Sequence, residues 1–116
     1  MQIKIEATQI WVAVEPVDFR KAANGLREIV VQQFGRSLND AVFVFFNRAK
    51  NAVKILGYHR NGTMLLHKRL DKRRFTIAEN DDSLYALDHK TLSWLLAGLD
   101  WVQMSENGDL CYDDFY

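Results

Sequence analysis

The sequence predicts an α+β fold: an antiparallel β-meander of about four to five strands with two helices packed on one face. Three observations carry this. Short runs rich in β-branched and aromatic residues follow one another through the middle of the chain, Asn61-Gly62 divides two of them, and two other stretches repeat apolar residues at helical spacing. A length of 116 residues suits one domain, placed at 1–104, with 105–116 as an acidic and loose tail. The 48% hydrophobic content is that of a packed domain rather than a disordered chain.

Residues 3 to 14 read as a strand, in which Ile10, Val12 and Val14 alternate with Trp11 and Ala13. Pro16 lacks the N–H that further pairing would need. Asp18 is the expected N-cap of a first helix, along which Phe19, Ala22, Ala23, Leu26, Ile29, Val30 and Phe34 form one apolar stripe. Gly35 then supplies a left-handed C-cap. Val42–Phe46 is apolar without interruption, the mark of a central strand covered on both faces. Asn47–Asn51 is a polar turn, Ala52–Arg60 and Thr63–Leu70 are strands, and Phe75–Ala78 offers a short further strand. Glu79–Ser83 is an acidic loop. Asp88 opens a second helix with Leu92, Leu95, Leu96 and Leu99 as its stripe, and Gly98 ends it near Asp100 or Trp101.

A two-residue turn at Asn61-Gly62 fixes a register in which Arg60 faces Thr63, Tyr58 faces Leu65, Leu56 faces His67 and Lys54 faces Arg69. These eight share one face, and the mostly apolar set containing Val53, Ile55, Met64 and Leu66 takes the other. The first face gathers Lys54, Arg60 and Arg69 with Tyr58 and His67, cations beside rings, as a backbone-plus-base nucleic-acid surface requires. Directly opposed Lys54 and Arg69 are unfavourable unless an anion lies between them. A plain solvated face is the alternative.

Charge is segregated along the chain although the net charge is zero. From Asn47 to Ala78 nine basic residues stand against Asp71 alone, whereas from Glu79 onward nine acids stand against Lys90 alone. Such blocks suit different partners on different surfaces, or neutralise each other within the fold. Lys72, Arg73 and Arg74 extend the positive face beyond the hairpin.

Signatures of catalysis are missing from the sequence. His59, His67 and His89 lack ligand spacing, so no metal site or cofactor is expected, and the glycines stand singly rather than in a phosphate cradle. Cys111 is the sole cysteine, which excludes an internal disulfide and a CxxC pair. Asp81 and Asp82 are adjacent in a loop, a poor start for a two-metal nuclease. No apolar run nears the roughly 20 residues of a membrane span, and residues 1–14 do not read as a signal peptide. A cytoplasmic domain that is not an enzyme and contacts no membrane is expected.

The segments Ile10-Trp11-Val12-Ala13, Val17-Asp18-Phe19-Arg20-Lys21 with Gly25-Leu26, Val42–Arg48 and Asn51–Leu56 form a colinear series. It continues through His59, Gly62, Leu65-Leu66, Lys68-Arg69-Leu70 and Arg74-Phe75 to Leu95–Trp101. This series resembles the small TnpB, or Orf2-like, accessory proteins of insertion sequences of the IS-sixty-six type, which are distinct from the RNA-guided nuclease of the same name. The resemblance spans about residues 9 to 101. It implies a non-catalytic accessory role in transposition, beside a separate DDE-type transposase, and assigns no catalytic residues. The acidic segment after Trp101 departs from the pattern.

The expected function is therefore an accessory factor that binds element DNA, the transposase, or both. Lys54, Arg60, Arg69, Lys72, Arg73 and Arg74 are the expected phosphate contacts, with Tyr58 and His67 for bases or sugars. Arg20 and Lys21 are a further phosphate or partner contact at a helix start, or solvated residues beside the Asp18 cap. The alternative is a protein-interaction module whose basic face docks an acidic surface of the transposase, or the acidic segments of another copy, as a homo-oligomer.

Overall fold

Five strands and two helices alternate along the chain: β1 (Gln9–Ala13), α1 (Ala23–Gln32), β2 (Ala41–Phe46), β3 (Ala52–His59), β4 (Gly62–Arg69), β5 (Leu84–Leu87) and α2 (His89–Leu96). The structure is a computed structural model and describes residues 9–39, 41–59, 62–78 and 82–98. The strands form one mixed sheet in the order β4-β3-β2-β1-β5. β2, β3 and β4 make the expected antiparallel meander. β1 lies parallel to β2, because α1 carries the chain back across the sheet between them, and β5 closes the other edge antiparallel to β1. The fold is α+β with a mostly antiparallel sheet, as the sequence predicts.

The helices, however, do not share a face. Leu26, Ile29 and Val30 of α1 pack on Phe43, Phe45 and Leu56, whereas Leu92, Trp94 and Leu95 of α2 pack on Val42, Val44, Phe46, Val53 and Ile55. The sheet itself demands this. All six residues of β2 are buried, with aromatic rings pointing both ways, and helices confined to one side would leave half of them in water. Phe75 fills the α2 side, so Phe75–Ala78 is a packed strap rather than the expected strand. The fifth strand is Leu84–Leu87, a four-residue element that no sequence pattern marks.

Both helix starts test the capping expectations. The Thr91 N–H donates to the Asp88 carboxylate at 2.7 Å, so Asp88 caps α2 as expected. Asp18 does not cap α1, which begins at Ala23 with no side-chain cap. Its carboxylate is taken instead by Arg20, whose backbone N–H and guanidinium both donate to it. Gly35 adopts the expected left-handed conformation after α1, at φ 61°. Gly98 does the same after α2, at φ 77°, and the helix stops at Leu96, short of the expected end. The Lys68 ammonium donates to the Leu96 carbonyl at 2.7 Å and satisfies that helix end. No described helix is long and apolar enough to cross a membrane.

Candidate nucleic-acid interface

One end of the sheet is built from three pieces of chain. The first is the turn between β2 and β3, where the Asn47 side-chain oxygen accepts from the N–H groups of Asn51 and Ala52 at 3.1 Å and Lys50 takes φ 60°. The second is the end of β4, where Arg69 pairs with Ala52. The third is the strap after β4, pinned beside the turn at both ends. The Leu70 N–H donates to the Asn51 carbonyl at 2.8 Å, and the Phe75 N–H to the Lys50 carbonyl at 2.7 Å. Phe75 anchors the strap against Phe46, with ring centroids 5.7 Å apart. Between those anchors, Asp71–Arg74 is held outward in solvent.

This construction brings together Arg48, Lys50, Arg69, Lys72, Arg73 and Arg74, all exposed. None of the six is in an ion pair with another described residue. Arg69 and the Lys72–Arg74 run were expected contacts. Arg48 and Lys50 belong to the basic block but are not among the residues the sequence marks as contacts. Their signal was the Asn47–Asn51 turn, whose hydrogen bonding places both side chains at the same end as the strap.

An arch from Val17 to Ala22 borders this end. The Val17 N–H donates to the Phe46 carbonyl at 2.9 Å, and an open cleft of about 470 Å³ runs between Pro16–Phe19 and Asn47–Ala49, with Arg48 on its wall. Asp18 and Arg20 form an ion pair at 2.7 Å on the arch, and the hydrogen-bonded guanidinium pulls the Asp18 carboxyl down to about 2. Arg20 is 90% exposed but already has its anion, whereas the Lys21 side chain is exposed beside it.

Beneath the arch lies Lys54, which is 7% exposed. Its ammonium donates to the carbonyls of Phe19 at 2.8 Å and Lys21 at 3.0 Å, and lies 4.9 Å from the Phe19 ring centre. The expectation of a phosphate contact at Lys54 is corrected: its donors are turned inward and hold the arch to the sheet. His67 pairs across from Lys54, and its ring meets the edge of Phe19 at 5.6 Å.

The hairpin register also differs from expectation. Lys54 faces His67, Leu56 faces Leu65, Tyr58 faces Thr63 and Arg69 faces Ala52, so Lys54 and Arg69 are not opposed. The whole ladder is displaced by two residues, which puts Gly62 inside β4 and keeps every side chain on its predicted face. Matching Leu56 with Leu65 and Ile55 with Leu66 outweighs the turn preference of Asn-Gly. Tyr58 is 47% exposed but belongs to the opposite end of the hairpin, six residues or about 20 Å from Arg69. It does not join the cations as expected. Arg60 lies outside the described residues. Among the described residues, no three His, Cys, Asp or Glu side chains come together as a metal site.

Comparison with known proteins adds to this geometry. The family model described as IS66 Orf2 like protein matches residues 8–106. The uncharacterised protein y4hO of Sinorhizobium fredii is 30% identical over 99 residues, covering 84% of this chain and 86% of that protein. Another uncharacterised protein of the same organism, y4jC, is 30% identical over 100 residues, covering 83% of each. No solved structure matches the chain.

Proposed function

We propose, from the premise that this chain belongs to the IS66 Orf2-like family and is thereby tied to IS66 transposition, that it is a non-catalytic accessory factor holding element DNA for the transposase. The observation that carries this reading is the pinned basic end, where six cations from a turn, a strand end and a strap face solvent together. Their backbone is fixed by hydrogen bonds, so part of the ordering cost of binding is met before a ligand arrives. Contacts of this kind go to phosphates and position the protein without reading sequence. Lys21 and His67 lie at the border of the same surface and extend it along the arch.

An electrophoretic shift with a terminal inverted repeat and with a scrambled duplex tests the proposal. Arg73→Ser combined with Arg74→Ser should weaken binding to both duplexes about equally, by roughly tenfold or more, while leaving the thermal midpoint unchanged. Full retention of affinity in that double variant would refute the DNA contact. If the wild-type chain ignores both duplexes yet is retained on its transposase in a salt-sensitive manner, the cations serve an acidic protein surface instead.

A further inference from the structure

The outer side of β4 carries no neighbouring strand among the described residues. Natural sheets protect such an edge with proline, a bulge, short length or outward charge. β4 uses few of these devices. It is eight residues long, contains no proline, and its register with β3 runs unbroken from Gly62 to Arg69. Lys68 turns its ammonium to the Leu96 carbonyl rather than along the edge. The opposite edge, β5, has four residues and is flanked by Asp82 and Asp88.

Which main-chain groups of β4 point outward follows from its neighbours. The Leu70 N–H donates inward to Asn51, and the direction alternates from one residue to the next along an antiparallel strand. Thr63, Leu65, His67 and Arg69 therefore direct both N–H and C=O away from β3. These are the groups a further strand would pair.

We infer that β4 is a homodimer edge, joining a second copy antiparallel about a two-fold axis through Leu66. A two-fold axis perpendicular to the sheet keeps side chains on the same face in both copies, so paired residues must have the same parity. Centring on Leu66 makes Leu65 face His67 and Thr63 face Arg69 of the second copy. All four outward residues then find partners. The charge pattern fits this occupant: β4 is neutral from Gly62 to Leu66 and basic at Lys68 and Arg69, so self-pairing sets the neutral half against the basic half. No cation opposes a cation. Pairing β4 with β5 of another copy would satisfy at most four residues per contact and would leave a free edge at each end, giving open polymers.

Sedimentation equilibrium of the full chain without DNA, across a range of concentrations, tests the inference through substitutions at Thr63, which is exposed. Thr63→Lys places a cation against Arg69 of the second copy at two symmetry-related contacts and should weaken dimerisation roughly fivefold; Thr63→Glu should strengthen it by a similar factor. The Glu variant should also lose its advantage in high salt. Circular dichroism of both variants should match the wild type. A wild-type chain that stays monomeric to millimolar concentration overturns the inference. So does a dimer indifferent to both substitutions, or a ladder of larger species. Because no nucleic acid is present, failure here leaves the DNA proposal standing, and failure of DNA binding leaves the dimer edge standing.

Discussion

Lys54 shows how a basic residue in a basic block can serve the fold instead of the surface. Its stem lies among the strands, and its ammonium meets two carbonyls and a ring face rather than a carboxylate. Those carbonyls belong to the arch ahead of α1, a helix with no side-chain cap, so Lys54 ties the arch to the sheet together with the Val17–Phe46 hydrogen bond. Lys54→Met keeps the stem and removes the donors. It should lower unfolding free energy in urea by about 1–3 kcal/mol, the cost of stripping partners from buried polar groups. DNA affinity, corrected for the folded fraction, should fall less than in the Arg73→Ser, Arg74→Ser double variant. An equal loss of affinity with no loss of stability would return Lys54 to the surface.

Among the elements, α2 has the clearest start: Asp88 accepts from Thr91, and that bond holds the carboxyl below its ordinary range. Asp88→Ala should cost about 1 kcal/mol in urea unfolding. A carboxyl whose folded pKa is depressed stabilises the fold fully above its unfolded value. That contribution disappears as pH falls through the folded value. The difference between wild type and Asp88→Ala should therefore be full at pH 6 and shrink towards pH 2. The same element shows what was legible in the sequence. An aspartate ahead of an apolar stripe is a local signal, true at Asp88 but not at Asp18, whose carboxylate Arg20 takes two residues on. The apolar run Val42–Phe46 is another, and it appears as β2 where expected. The side of the sheet each helix covers, the parallel β1–β2 pair and the four-residue β5 are set by distant packing that no local pattern encodes. The hairpin lies between these cases. Its existence and faces were legible, whereas its register was decided by Leu56 meeting Leu65 across the strands.

Across the whole molecule, two acids of the acidic block, Asp82 and Asp88, lie by the sheet edge opposite the strand that carries Lys68 and Arg69. The two edges are four strand spacings apart, about 19 Å. At physiological ionic strength the Debye length is about 8 Å, so a phosphate at Arg69 scarcely senses Asp82 across the sheet. One at the β2–β3 turn lies only two strand spacings, about 10 Å, from the strand that Asp82 precedes. At about 0.01 M the length grows to about 30 Å, and both halves are felt together. If about five phosphates are neutralised, the logarithm of the binding constant should fall against the logarithm of salt with a slope near −4 to −5 above about 0.1 M. Below about 0.02 M the plot should flatten, because the acidic edge then repels the same duplex. Fluorescence anisotropy of a labelled duplex over that range measures both limbs. A slope near zero above 0.1 M would remove the phosphate contacts, and one straight line throughout would mean that the acidic edge is not felt by the bound DNA.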